Sequence, residues 1–359
     1  MALRRVLQGA PTTARVIELA STDACTNLAA EEWVFRNASV GAPLLLLYRN
    51  APCVVLGRNQ NPWRQCSMAA MRAGGVQLAR RHSGGGAVYH DLGNTNYSVV
   101  SDRADHDRAA NAELLVAALS GLGIDCAASG RHDLLRADGR KFSGAAFRMS
   151  GDRAYHHGTL LLESDLEQLL GLLHHAEARI EGGDTASVRS VAGVSNLQLA
   201  HADVRDALGK ALSERLGLPV EHVLLDPTSR EFRECCEAEA PVRGQQLDGE
   251  GSSFEREERR MRSWDWVFGK TPKFAARSAC GLLFSVVKGR IEGVNAVDAD
   301  EEGGSEWTEE DAEALEWVTL GRRFELQSFR RAATGLRKEG MEESALRVDK
   351  LQLDSSMGV

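Results

Sequence analysis

The sequence predicts a mixed α/β (α+β) fold in two domains, on three observations. Strand-length apolar bursts alternate with helix-period stretches, a pattern unlike that of a helical bundle. The chain has 359 residues, 43% of them hydrophobic and 26% charged, which is enough for two cores. A charge-dense stretch from Glu237 to Arg262, containing GEGSS, separates two patterned regions as a solvated connector or a charged helix would.

The elements follow in order. VIEL, from Val16, reads as a strand, and a turn at Ser21 to Asp23 leads into a helix carrying Leu28, Trp33 and Phe35 on its apolar period. PLLLLYR and PCVVLGR are short apolar runs bounded by Pro, Asn or Gly, the signature of buried strands. Helices are expected around Pro62 to Ala73 and Asn111 to Leu122, the second stopped by Gly121 and Gly123. Between and after them QLARR, AVY, NYSVV and HHGTLLL read as strands. Beyond the charged stretch come SWDWVFGKTPKF, a hairpin GLLFSVVKGRIEGV turning at Lys288 to Arg290, and helices from Thr308 onward. The boundary falls between Phe254 and Phe274, giving domains at 16–262 and 263–359.

Composition excludes several classes. A net charge of −8 argues against nucleic acid as the main partner, because binders of phosphate backbones carry a basic excess. Seven scattered cysteines without CxxC spacing suggest neither a disulfide framework nor a metal site, so no residue is assigned to a metal and a reducing compartment fits. No apolar run approaches the ~18 residues of a membrane helix. Residues 1–15 carry Arg4, Arg5 and Arg15 with no acid before Glu18, which resembles a mitochondrial import signal; an ordinary basic tail on a cytoplasmic protein fits the same residues.

The chemistry concentrates in two stretches. RRHSGGGAVYHDLGNTNYS runs from Arg80 to Ser98, and its glycines Gly84, Gly85 and Gly86 let the backbone approach a phosphate or carboxylate and present N–H groups to it. A glycine triplet by itself is most often a flexible turn, but a flexible turn has no reason to gather Arg80, Arg81, His82, His90 and Asp91. Neither GxGxxG nor the P-loop pattern is present. In GRHDLLRADGRKFSGAAFRMSGDRAYHHGTLLL, Lys141 precedes the small residues Ser143 to Ala146, against which a bulky ligand could lie while the ammonium reaches its polar head. The bland alternative makes Lys141 an exposed residue of a DGRK hairpin turn. His156 and His157 are adjacent and, on a strand, face opposite sides.

Taken together and in this order, NLAAEEW, VVLGRNQNPW, the glycine stretch, GRHDLL, KFSGAAFR, HHGTLLL, TASVRSV and SWDWVFGKTPKF resemble the biotin/lipoate attachment enzymes, more narrowly the lipoate–protein ligase A and mitochondrial lipoyltransferase family. The resemblance spans most of residues 16–275. It implies a catalytic domain related to class II synthetases, a small C-terminal accessory domain, and formation of lipoyl-AMP from lipoate and Mg²⁺-ATP before transfer to a lysine. Arg81, Gly86, Ala87, Val88, Tyr89 and Asp133 match nucleotide-contacting positions, and Lys141 matches the catalytic lysine that touches both the lipoyl carbonyl and the α-phosphate. Ser83, Gly84, Gly85, Lys141 and Arg148 are the expected lipoate contacts.

The partners implied are lipoyl domains of 2-oxoacid dehydrogenase complexes and the H protein of glycine cleavage, with no nucleic acid and no membrane. In the resemblance an arginine at the position of Arg148 goes with complete ligases, which implies a ligase rather than a transferase that relies on a supplied lipoyl donor. A cysteine-dependent octanoyltransferase would need a nucleophile such as Cys126, which lies outside the matched motifs. An inactive lipoyl-domain binding module would have lost Lys141 or the glycine run, and both are intact.

Overall fold

The computed structural model describes residues 12–38, 41–173, 179–183, 193–238, 254–278, 281–297 and 307–351. The arginines Arg4 and Arg5 and the motif TASVRSV at 185–191 lie outside them. In chain order the elements begin β1 (Ala14–Leu19), α1 (Ala24–Asn37), β2 (Leu44–Tyr48), β3 (Cys53–Leu56), α2 (Pro62–Gln65), α3 (Met68–Ala73), β4 (Gln77–Arg80), β5 (Val88–His90) and β6 (Asn94–Asp102). Next come α4 (Arg108–Gly121), β7 (Cys126–Ala128), β8 (Leu134–Arg136), β9 (Lys141–Ser143), β10 (Ala145–Ser150), β11 (Arg153–Leu161), α5 (Leu166–Leu173) and β12 (Ile180–Gly182). The rest are α6 (His201–Leu216), β13 (Val220–Leu225), α7 (Arg230–Ala238), α8 (Phe254–Arg262), α9 (Trp264–Val267), β14 (Phe274–Arg277), β15 (Leu282–Val287), β16 (Arg290–Ala296), α10 (Glu309–Thr319), α11 (Leu326–Lys338) and α12 (Glu342–Leu351).

The chain divides into two interleaved compact units rather than two continuous spans. One comprises Met1–Gly57, Ala79–Leu169 and Arg189–Ser263; the other comprises Arg58–Leu78, Leu170–Val188 and Trp264–Val359. The first is built on a six-stranded sheet in the order β10-β11-β6-β2-β1-β13. Its parallel strands β1 and β2 are buried on both faces, which is why LLLLY is apolar throughout, whereas β13, parallel to β1 at the sheet edge, leaves Val220 and Leu224 exposed.

Strand alternation assigns the two faces of this sheet. Val16, Leu45, Leu47, Tyr97, Val99 and Leu160 pack against α4 and α6. On the opposite face the register brings Ala146 beside His157 and Arg148 beside Tyr155, and the Tyr155 ring meets Phe35 of α1 edge-on at 5.1 Å. Helix α1 starts where Asp23 accepts the Thr26 N–H, and it buries polar Glu31 and Glu32 along with its apolar residues. Helix α4 begins at Arg108, three residues before the expected start, because Asp107 caps the N–H groups of Ala109 and Ala110.

The second unit is an antiparallel sheet, β12-β14-β15-β16, with α10, α11 and α12 contributing to its core. Trp63 belongs to this core, with ring centroids 5.2 Å from Phe274 and 5.6 Å from Phe324. The β15–β16 hairpin turns through Lys288 at φ 50 and Gly289 at φ 70. The expected helix from Pro62 to Ala73 is two short helices, since the chain leaves the helical conformation at Cys66 and restarts with Ser67 capping Ala70.

Candidate active site

The glycine loop is held from behind by one side chain. Arg81 is 5% exposed, and its guanidinium donates to the Val55 carbonyl at 3.1 Å, Ser83 Oγ at 2.9 Å, the Gly84 carbonyl at 2.6 Å and the Gly86 carbonyl at 2.9 Å. A trans peptide points its N–H opposite to its C=O. Pinning the carbonyls of Gly84 and Gly86 therefore turns the N–H groups of Gly85 and Ala87 away from the guanidinium, as an anion cradle requires. Gly85 sits at φ 89, where an added Cβ would come within 2.7 Å of Arg81 Nη2. A Cβ on Gly57 would lie 2.0 Å from the Gly85 carbonyl oxygen, so Gly57 is dictated by close backbone approach and Gly85 by its positive φ and the guanidinium against it.

Burial pushes the Arg81 guanidinium down to about 10, which leaves it a cation at neutral pH. The sequence suggests a phosphate ligand for Arg81, yet its donors go to its own loop.

Lys141 opens β9, and its ammonium pairs with Asp133 at 2.9 Å, each side chain about a fifth exposed (20% and 21%). Its backbone is fixed on both sides, N–H to the Gly193 carbonyl at 2.8 Å and carbonyl to the Ser195 N–H at 2.9 Å. The hairpin turn expected here exists, but it lies at Asp138–Gly139, so Lys141 is the first residue of the following strand. Gly144 makes room for the ammonium, since an added Cβ would be 3.3 Å from Lys141 Nζ. Two residues along, the Ala146 Cβ lies 3.5 Å from where a Gly85 Cβ would be. Alternate residues on a strand share a face and are about 7 Å apart. The glycine loop and Lys141 thus both lie against the short run Gly144–Ala146 that leads into β10.

Behind the loop is a group of buried ionisable residues. Ser83 Oγ is 2.7 Å from His157 Nε2, and His157 Nδ1 is 3.0 Å from Glu31 Oε1, with all three residues buried. Glu32 pairs with Arg148 and with Arg36, and the Arg148 guanidinium also lies 5.2 Å from the centre of the Phe35 ring. His82 donates to Glu257 of α8 at 2.6 Å. Burial opposes ionisation of Glu257, but the His82 hydrogen bond and charge, helped by Arg260 and Arg36, outweigh it and hold the carboxyl below its usual range. Sequence reasoning missed Glu31, Glu32, His157 and Glu257 as site residues. The readable signal was the acidic pair inside the otherwise apolar NLAAEEW helix.

His156 and His157 do face opposite sides. His156 points to Tyr97 and His132, with ring centroids 6.1 and 6.3 Å away, and burial with the neighbouring His157, His106, His132 and Arg108 pushes it down to about 3. His90 meets Asn50 at 2.9 Å, and burial with Arg81 and His157 nearby also takes it down to about 3. Asp91 accepts the N–H groups of Gly93 and Asp165, so both residues brace the chain after the loop. Tyr89 is buried with its phenol on Gln168, and β5 pairs with β3 through Val88↔Val55. Cys126 lies on β7, where burial and then Asp125 push its thiol up, the wrong direction for a thiolate nucleophile.

The chain matches the model of the lipoyl protein ligase A/B catalytic domain over residues 23–213. It is 38% identical over 272 residues to a lipoate-protein ligase A of Psychrobacter cryohalolentis, covering 72% of this chain and 74% of that protein. Its fold is similar to that of a bi-partite lipoate protein ligase from Thermoplasma acidophilum, with a TM-score of 0.58 and 23% identity over 73% of this chain and 99% of the other. A lipoate-protein ligase A bound with ATP is similar at a TM-score of 0.52 and 26% identity, covering 62% of this chain and 92% of its own. The chain belongs to the lipoate–protein ligase A family, with the biotin/lipoate ligase fold.

Proposed function

We propose that this ligase joins lipoate to ATP as lipoyl-AMP between the glycine loop and Lys141, then passes the lipoyl group to a lysine of a partner's lipoyl domain. The observation that supports this reading is that Gly85 of the loop lies against Ala146 while the Lys141 ammonium lies against Gly144, two residues apart on one run of chain. A carboxylate does not acylate an amine at neutral pH, whereas a mixed anhydride with AMP does, so the protein needs preorganised donors rather than a nucleophile of its own. Lys141 is placed to follow negative charge from the α-phosphate to the acyl oxygen. The N–H groups of Gly85 and Ala87 suit a phosphate oxygen, and the small residues Gly144 to Ala146 leave room for an acyl chain.

Mg²⁺ fits this site as a companion of ATP. When bound it would be held mainly by the substrate phosphates, with Asp133, now paired with Lys141 at 2.9 Å, as the carboxylate near enough to help. Its contribution is charge neutralisation on the phosphates. We further propose that the acceptors are lipoyl domains of 2-oxoacid dehydrogenases and the glycine-cleavage H protein. A mitochondrial destination for the chain rests on Arg4 and Arg5 and the lack of acid before Glu18; Arg15, counted with them in the sequence, is buried in β1 and belongs to the fold instead.

The test is to incubate the protein with lipoate, Mg²⁺-ATP and an apo lipoyl domain, and in parallel with lipoyl-AMP in place of lipoate and ATP. Lipoylation in both mixtures is expected. Lipoylation from lipoyl-AMP alone would establish the second reading, a transferase without activation. One observation favours that second reading: Arg148, expected to orient the lipoate carboxylate, is paired with Glu32 and stacked over Phe35. Arg148→Ala separates the two, since a carboxylate-orienting arginine affects adenylate formation far more than transfer.

A further inference from the structure

We infer that the free edge of β10 docks the acceptor: the segment of the lipoyl domain that carries its lysine pairs as an added strand with Ala145, Phe147 and Met149. The inference rests on the ligase reading and supplies the partner surface which that reading leaves open.

Strand β10 is the last strand of the six-stranded sheet, and β11 is its one neighbour there. The bond from the Thr159 N–H to the Gly144 carbonyl, at 3.0 Å, sets the phase of that ladder. Bonded and non-bonded residues alternate along an antiparallel pair, so Ala146, Arg148 and Ser150 spend their backbone groups on β11. Those of Ala145, Phe147 and Met149 point out of the sheet, and among the described residues no other strand takes them up. Edges of this kind are usually blunted by charge or by proline. This one carries Phe147 and Met149, 42% and 43% exposed, with the Arg108 guanidinium 4.4 Å from the centre of the Phe147 ring.

The reach of a lysine selects this surface. Its five side-chain bonds span about 6 Å, and a strand added to a sheet lies about 4.8 Å from its neighbour. A lysine opposite the run Gly144–Ala146 therefore reaches the place beside Lys141 where the acyl-adenylate is proposed to sit. The opposite edge of the same sheet, β13, exposes Val220 and Leu224, but five strand spacings, about 24 Å, separate it from β10.

Alternation also fixes what flanks the lysine. Gly144 and Ala146 face Lys141 and the glycine loop, whereas Phe147 lies on the other face with His156, its partner across β11. A lysine aimed at the site thus lays the residues on either side of it against Phe147 and Met149. An apolar flank covers these side chains, and a carboxylate flank answers Arg108; the nearest acid, Asp107, is already spent on the N–H groups of Ala109 and Ala110. A second copy of this chain paired through β10 about a two-fold axis would bring both Arg108 side chains to one seam, and like charge opposes that.

The experiment titrates an isotope-labelled apo lipoyl domain with wild type, Phe147→Glu, Met149→Pro and Arg108→Glu by NMR, and measures ATP–pyrophosphate exchange and transfer from preformed lipoyl-AMP with the same samples. Met149→Pro removes one outward N–H and leaves the bonds to β11 in place. The dissociation constant is expected to rise about tenfold or more in Phe147→Glu and Met149→Pro and about fivefold in Arg108→Glu, with the KM of transfer for the domain rising in step. Exchange should stay within about twofold, because activation involves no partner and a misfolded variant would lose it. Unchanged affinity in all three variants, exchange lost in parallel with affinity, or no binding by wild type would overturn the inference. So would a wild-type dimer that Phe147→Glu dissociates, since a second copy would then own the edge. Binding that the variants weaken, in a wild-type protein without exchange or transfer, would sink the ligase reading alone.

Discussion

Arg81 donates to the Gly86 carbonyl across 2.9 Å, and this bond, repeated at Gly84, decides which way the amides of the glycine loop face. The guanidinium that the sequence offers as a phosphate ligand is bonded to the carbonyls of Val55, Gly84 and Gly86 and to Ser83 Oγ, so in the proposed function it acts through the backbone.

Arg81→Lys tests that role. An ammonium keeps the charge but cannot reach Val55, Ser83, Gly84 and Gly86 at once from a compact head. The expected outcome is a loss of about two orders of magnitude in kcat/KM for ATP, roughly 3 kcal/mol, measured by pyrophosphate exchange. Retained activity would mean that charge alone organises the loop.

Gly57→Ala should displace the loop from the position just after β3. The new methyl would have to sit 2.0 Å from the Gly85 carbonyl, so backbone must move. A destabilisation of about 1–3 kcal/mol in urea melts, with a raised KM for ATP, is expected. A variant with wild-type stability and kinetics would contradict the close packing of β3 against the loop.

Stability should fall in mild acid. His90 and His156 are held neutral, each down to about 3, whereas in the unfolded chain they titrate near ~6.5. The unfolded state therefore binds more protons as pH drops through the window from about 6.5 to about 3, and stability is lost across it. At pH 5 the loss should be about 2 kcal/mol per histidine relative to pH 7, read from urea midpoints. His156→Gln should remove its share of the slope, and a pH-independent midpoint would show the two rings to be solvated.

Cys126→Ala should leave both half-reactions intact, because its thiol is pushed toward the protonated form. Loss of activity together with a hydroxylamine-sensitive acyl-enzyme in wild type would instead require a thioester mechanism.

Much of this was legible in the sequence, and the rest was hidden for identifiable reasons. Period and punctuation located the strand bursts around Leu44 and Cys53 and the helix carrying Trp33, because these depend on local burial. The glycine loop stood out in the sequence as a segment of close backbone approach, which Gly57 and Gly85 bear out, and Lys141 as a candidate cation beside small residues, which its contact with Gly144 bears out. Trp63 was not legible as a core residue of the second unit, since its partners Phe274 and Phe324 lie more than two hundred residues away. For the same reason Glu31 could not be connected to His157, or His82 to Glu257: long-range pairing of buried charges leaves no periodic trace. Arg81 shows the converse limit: the sequence places it beside the glycines, but its four hydrogen-bond partners are set by the fold and are not encoded in composition.

The central claim is that one ammonium serves both half-reactions, and Lys141→Ala tests it most directly. Pyrophosphate exchange and transfer from preformed lipoyl-AMP should each drop by about two to three orders of magnitude, as expected for loss of a single preorganised electrostatic donor. Lys141→Arg should rescue poorly, because the planar fork does not fit the space beside Gly144 and Asp133. Near-normal exchange and transfer in Lys141→Ala would contradict the account, and loss of binding with unchanged kcat in both steps would reduce Lys141 to a substrate anchor.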